Sequence, residues 1–167
     1  MSMRSNSVAA GATPPLEGLD SAALLDTIER GLALLAACSL DEVTNPELTE
    51  RVQRLHRAET IAAAEKLRCV AEADLRQTWK AEGARSMTNL LARRLRLTRG
   101  EARAQAETAL ELEHLPETAA ALRAGQIGLG QAQVAARAAK SVRPRRPGGA
   151  GPARSGGWGR VGPPAAA

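Results

Sequence analysis

The chain has 167 residues with no Phe or Tyr, and it sets 35 Ala and 21 Leu against only ten Val and Ile together. Ala and Leu favour helices while strands favour β-branched and aromatic residues, so a strand-built core is excluded and an all-α class with closely approaching helices is expected. The formal charge of +5 is carried by the last 27 residues, because residues 1–140 hold 18 Lys plus Arg against 18 Asp plus Glu; the body is neutral, and the overall basic charge is weak evidence for a nucleic-acid partner.

Residues 1–18, rich in Ser, Asn, Gly and Pro, read as a disordered leader. A first helix opens at Asp20 or Ser21, both good caps, and carries an apolar stripe of Leu24, Ile28, Leu32 and Leu35. After a connection over 39–44, Asn45 caps a second helix with Pro46 at its first position and Glu47 and Glu50 near its positive end. No Gly or Pro follows until Gly83, so this helix is predicted to run over 46–79, about 50 Å. Its Leu48, Val52 and Leu55 fit a coiled-coil seam, but the same heptad then places Glu59 and Lys66 in the core, so a long helix within a bundle is favoured over a dimeric coil.

Ser86 caps a third helix reaching Leu95, with Met87, Leu90, Leu91 and Leu95 as its buried side. Thr98 and Glu101 form a capping box for a fourth, packed through Ala102, Ala106, Ala109 and Leu110 and ending before Leu115-Pro116. A fifth spans 116–124 and stops at Gly125. A sixth starts near Gly128 and continues through Ala132, Val134, Ala135 and Ala138. The openings Leu97-Thr98-Arg99-Gly100-Glu101-Ala102 and Ile127-Gly128-Leu129-Gly130-Gln131-Ala132 echo each other at an offset of 30, as two similar helix starts.

The domain plan is thus a leader over 1–18, a helical module over 19–140 forming an irregular bundle around one long central helix, and a disordered tail over 141–167. Gly, Ala, Pro and Arg supply 22 of the 27 tail residues, and no Asp, Glu or Leu occurs there. That composition is what high-GC DNA gives when translated out of frame, and it suits no buried core.

The strongest binding candidate is a run of arginines: Arg85, Arg93, Arg94, Arg96, Arg99 and Arg103, interrupted in charge only by Glu101. Guanidinium groups stay charged and can grip phosphate with two parallel hydrogen bonds. The third and fourth helices also have the order of a helix-turn-helix, but Glu101, Glu107, Glu111 and Glu113 on the second would repel phosphates. A solvated, salt-bridged face is therefore favoured over a DNA reader, leaving weak, nonspecific DNA contact and self-association through the long helix as the partners to test.

His56 and His114, the only histidines, have no second ligand or nucleophile at a readable spacing, so no metal, cofactor or catalytic residue is assigned. Cys38 and Cys69 lie 31 residues apart and read as two small buried thiols. Gly125, Gly128 and Gly130 lack the Lys-Ser/Thr of a phosphate loop. Trp79 is expected as a core anchor, and Trp158 stands alone in the tail. Residues 8–12 are too few for a secretory core and 32–38 far too few for a span, so a cytoplasmic protein with no membrane or small-molecule partner is expected.

Taken together, Gly83-Ala84-Arg85-Ser86, Leu91-Ala92, Leu97-Thr98, Glu101-Ala102, Ala109-Leu110, Leu115-Pro116, Thr118, Ala121-Leu122, Ala124-Gly125 and Ile127 follow an order and spacing that resembles domain-of-unknown-function family 222, the 13E12 repeat family of high-GC actinobacteria. The resemblance covers about residues 20–140. It implies a helical module that many relatives follow with an HNH endonuclease domain, in which histidines and an asparagine surround one metal ion. Nothing in this chain matches that unit, so the resemblance implies a non-catalytic, truncated member. The chain departs from the family pattern at Leu90, where Trp is common, at Gly128, where Ser or Thr is usual, and at Gln131, a frequent His.

Overall fold

In a computed structural model, residues 16–142 are described, and among them seven α-helices and no strand are found. The expectations for the leader and tail fall outside the described residues, apart from residues 16–18 at one end and Ser141 and Val142 at the other. The chain divides into two compact units, residues 1–47 and 48–167.

The first unit holds α1, Ser21–Ala37. The Asp20 carboxylate caps it, accepting from the Ala23 amide at 2.8 Å, as predicted. None of its residues is buried, so the stripe of Leu24, Ile28, Leu32 and Leu35 faces solvent within this unit.

α2, Asn45–Leu75, opens one residue earlier than its sequence suggests. The Glu47 carboxylate takes both the Thr44 amide (2.9 Å) and the Thr44 hydroxyl (2.7 Å), so Thr44 rather than Asn45 fills the cap position. Those bonds hold Glu47 below the usual carboxylate range, the hydroxyl contributing most. Burial on α2 starts at Thr60 and recurs at Ala64, Leu67, Val70 and Ala71, a helical period; the Thr60 hydroxyl is satisfied by the His56 carbonyl at 2.9 Å.

The long helix also ends earlier than predicted. Gln77 adopts a left-handed conformation (φ 54°), and the chain restarts as the single turn α3, Thr78–Ala81. Local bonds offset that backbone cost. The Gln77 amide donates to the Asp74 carbonyl at 2.9 Å and the Thr78 hydroxyl to the Ala73 carbonyl at 3.2 Å. The break lets Trp79 pack half-buried against the core while its indole N–H reaches Asp74 Oδ1 at 3.1 Å, the anchoring role expected of it.

α4 spans Met87–Arg94 with Ser86 as cap, α5 spans Arg99–Leu112, α6 spans Pro116–Arg123 and α7 spans Leu129–Val142. The capping box of α5 is complete: the Glu101 amide donates to the Thr98 hydroxyl oxygen, and the Thr98 amide donates back to the Glu101 carboxylate. At α7, Gly128 has no side chain to cap with, but its amide donates to Gln131 Oε1 at 2.8 Å. Gln131 thus supplies the returning half of the same box, and the sequence echo is a shared helix-opening geometry. Leu97 and Ile127, the residues before the two caps, both pack against the core.

α5 is flanked by α4 and α7, and α7 also meets α6. The buried positions of α5 are Ala102, Ala106, Thr108, Ala109 and Leu112, and those of α7 are Ala132 and Ala136. Helices meeting on such small side chains approach closely, as the composition implied. Leu67, Leu112 and Leu122 are the largest side chains fully buried. Each contributes about 1.5–3 kcal/mol by leaving water.

Three expected core positions are corrected. Leu95, Val134 and Ala138 are exposed, because the inward faces of their helices are set by Met87 with Leu91 and by Ala132 with Ala136. α7 also passes the expected boundary at Lys140 by two residues, its last turn helped by the Ser141 hydroxyl donating to the Ala138 carbonyl at 2.7 Å.

Candidate nucleic-acid interface

Four helices end on a left-handed residue, two of them flanking the arginine run. Each of α2, α3, α4 and α6 is followed by a residue in the left-handed region: Gln77, Gly83, Arg96 and Gly125. After α3, the amides of Gly83 and Ala84 return to the carbonyls of Lys80 and Trp79 at 3.0 and 2.9 Å. After α4, the Leu97 amide returns to the Ala92 carbonyl at 3.2 Å, which turns the chain from α4 into α5 and leaves the Arg96 side chain exposed.

The six arginines separate into two groups. Arg93 and Arg94, in the last turn of α4, both turn to Glu82. Arg93 also donates to the Glu82 carbonyl at 2.6 Å, and Arg94 donates to Glu82 Oε2 through both Nε and an amino nitrogen. Arg103 donates to Glu107 at 2.9 Å one turn along α5, a pairing that favours its charged form. These three are spent on carboxylates of the chain itself. Arg85, ahead of α4, Arg96, in the turn, and Arg99, the first residue of α5, are exposed and make no ion pair among the described residues. The expected salt-bridged face therefore describes half of the run, and three cations remain for an external anion.

Glu107 does a second job that sequence spacing does not reveal. It accepts from Lys140 on α7 at 2.9 Å as well as from Arg103, and these bonds, Lys140's first, hold its carboxyl below the usual range. It bridges a cleft of about 210 Å³ between α5 and α7. Glu101, the charge that interrupts the run, is occupied by the Thr98 hydroxyl and amide and is likewise held low. A second, more apolar cleft of about 470 Å³ is lined by Val70, Met87, Leu90 and Leu91, with Lys66 and Arg94 beside it.

His56 lies on α2 with Nδ1 3.9 Å from Glu59, both side chains largely in solvent, and His114 is exposed at the end of α5. Among the described residues no group of three or more His, Cys, Asp or Glu is placed to hold a metal ion. The cysteines are not buried as expected. Cys38 follows the last turn of α1, and Cys69 lies off the Leu67–Val70 inward stripe of α2; both are exposed as residues and free. Partial desolvation and the nearby Glu65 carboxylate raise the Cys69 thiol above its ordinary pKa, which disfavours the reactive thiolate. Among the described residues no helix is long and apolar enough to cross a membrane.

A family model described as a domain of unknown function (DUF222) matches residues 48–148. That span takes in α2 from Leu48 onward and every later helix, hence all six arginines, and it runs eight residues beyond Lys140. No curated protein and no solved structure matches the chain.

Proposed function

The chain belongs to the DUF222 family, and from that premise we propose that it is a non-catalytic helical module of a nuclease-associated protein that contributes weak, nonspecific contact to the DNA backbone. The observation that carries this reading is the partition of the arginine run, which leaves Arg85, Arg96 and Arg99 exposed while Arg93, Arg94 and Arg103 are paired internally. Three unpaired guanidiniums suit phosphate oxygens, and the carboxylates of Glu101 and Glu107 beside them are engaged rather than facing a ligand alone. The HNH association is the part of the reading that rests on the family resemblance.

Fluorescence anisotropy on a random-sequence duplex tests it. Three released counterions give a slope of about −2.7 in log affinity against log salt, so binding falls roughly 40-fold between about 50 and 200 mM salt. Replacing Arg85, Arg96 and Arg99 by Gln removes that binding, while the same change at Arg93, Arg94 and Arg103 has a smaller effect. The measurement is repeated on a chain ending at Val142, which keeps α7 whole and removes the tail arginines. Tight, sequence-selective binding at physiological salt would overturn the reading. So would metal-dependent cleavage of DNA by the pure chain that is lost on changing His56 or His114.

A further inference from the structure

Among the described residues, exposed large aliphatic side chains are concentrated in one place. Nine of the sixteen lie before Glu47, in the unit that carries α1. On α1, Leu25, Ile28, Leu32 and Leu35 recur at intervals of three, four and three residues, the spacing of alternating a and d positions through two heptads. They are 58%, 55%, 50% and 42% exposed, and Leu24 stands beside them.

We propose that α1 is a self-association helix, whose apolar seam pairs with the same seam of a second copy of this chain. Three features point to that occupant. The first is area. The four seam residues and Leu24 each leave on the order of 100 Å² of apolar surface in water, so the five from each copy bury about 1,000 Å² in the pair. That reaches the lower limit of a specific interface.

The second feature is charge. In parallel register the positions beside the seam set Glu29 opposite Leu24 of the second copy and Gly31 opposite its Ala36, so no like charges meet and the small residues let the backbones come close. The polar side of α1 carries Asp26 and Glu29 against a single Arg30, the opposite of the Lys/Arg-rich face that an anionic membrane surface selects.

The third feature is length. α1 has 17 residues and no buried position in its own unit, whereas helices in proteins draw most of their stability from packing an amphipathic face rather than from propensity. Pairing supplies the missing cover, so α1 gains helix as it dimerises. The inference stands apart from the arginine run and does not depend on it.

The test is sedimentation velocity with circular dichroism on the full chain from about 1 μM to about 100 μM. The expected result is a monomer at the low end, a dimer at the high end, and helical signal that rises with concentration. Leu25→Glu with Leu32→Glu, both at exposed positions, should abolish dimer and concentration dependence together while leaving the main thermal transition unchanged. A wild-type chain that stays monomeric throughout overturns the proposal, as does a dimer that survives the double change. A lowered main transition in the variant also overturns it, because α1 would then be covering its own chain. Cosedimentation with anionic vesicles in place of dimerisation overturns it in favour of a lipid surface.

Discussion

Replacing Gly125 by Ala tests the helix-end geometry most directly, because it combines two separable costs. Gly125 has φ +66°, and a Cβ there would lie 2.8 Å from Arg57 Cγ and 3.3 Å from its Nε. An L-residue in the left-handed region costs about 1–2 kcal/mol, and Ala recovers about 0.4–1 kcal/mol of that by restricting the unfolded chain. The displaced Arg57 would also lose its donation to the Ala124 carbonyl at 3.3 Å, a bond worth about 0.5–1.5 kcal/mol. The net loss spans about 0.5–3 kcal/mol with its centre near 2 kcal/mol, which is roughly 8–16 °C in Tm for a module of this size. Gly83 is the built-in control, since it has the same φ of +66° with nothing within 4 Å of its Cβ position. Gly83→Ala should cost only the backbone part, about 0.5–1 kcal/mol. Urea unfolding followed by circular dichroism reads both variants, and a double-mutant cycle with Arg57→Ala should shrink the Gly125→Ala penalty to that of Gly83→Ala. Equal losses at the two glycines in the wild-type background would refute the close approach of Arg57.

Two further outcomes follow from the same structure. Gln77→Gly relieves a left-handed non-glycine residue and should raise stability by roughly 0.5–1 kcal/mol in the same unfolding assay. Glu107 and Glu65 are held below their ordinary pKa, Glu107 chiefly by Lys140 and Glu65 chiefly by Arg68. A depressed folded pKa contributes stability that is fully present above the unfolded value of 4.5 and is lost as pH falls through the folded value. Glu107→Gln should therefore destabilise the chain at neutral pH by well under 1 kcal/mol, the carboxylate being partly exposed, and the difference from wild type should shrink in acid-unfolding curves as pH falls below the unfolded value and vanish below the folded one.

The parts of this fold that depend on local chemistry were legible in the residues. Asp20, Ser86, the Thr98–Glu101 pair and the Pro116 and Gly125 boundaries all act within one turn, and each stands where its type predicts. What escaped were helix ends that no residue type announces and pairings that cross between elements. Gln77 and Arg96 terminate helices in a conformation that favours glycine, so no glycine marks them; the buried side of Trp79 and the turn into α5 support the strain instead. The early end of α2 follows from the first of these. The arginine run was visible as a set of six, but its division was not, because Glu82 reaches Arg93 and Arg94 from outside the heptad-scale spacing of one helix. The family membership was legible because it rests on joint spacing rather than on any single contact.

The alanine contacts of α5 and α7 bear on how the module responds to force. Alanine has no rotamers, so ordering Ala102, Ala106, Ala109, Ala132 and Ala136 costs almost no side-chain entropy, and these positions also have no alternative side-chain arrangement to adopt. A leucine-filled interface can absorb a small push by repacking. This one can only move backbone. Relative movement of α5 and α7 is therefore taken up by backbone rather than by side-chain repacking, with the Glu107–Lys140 ion pair linking the two helices.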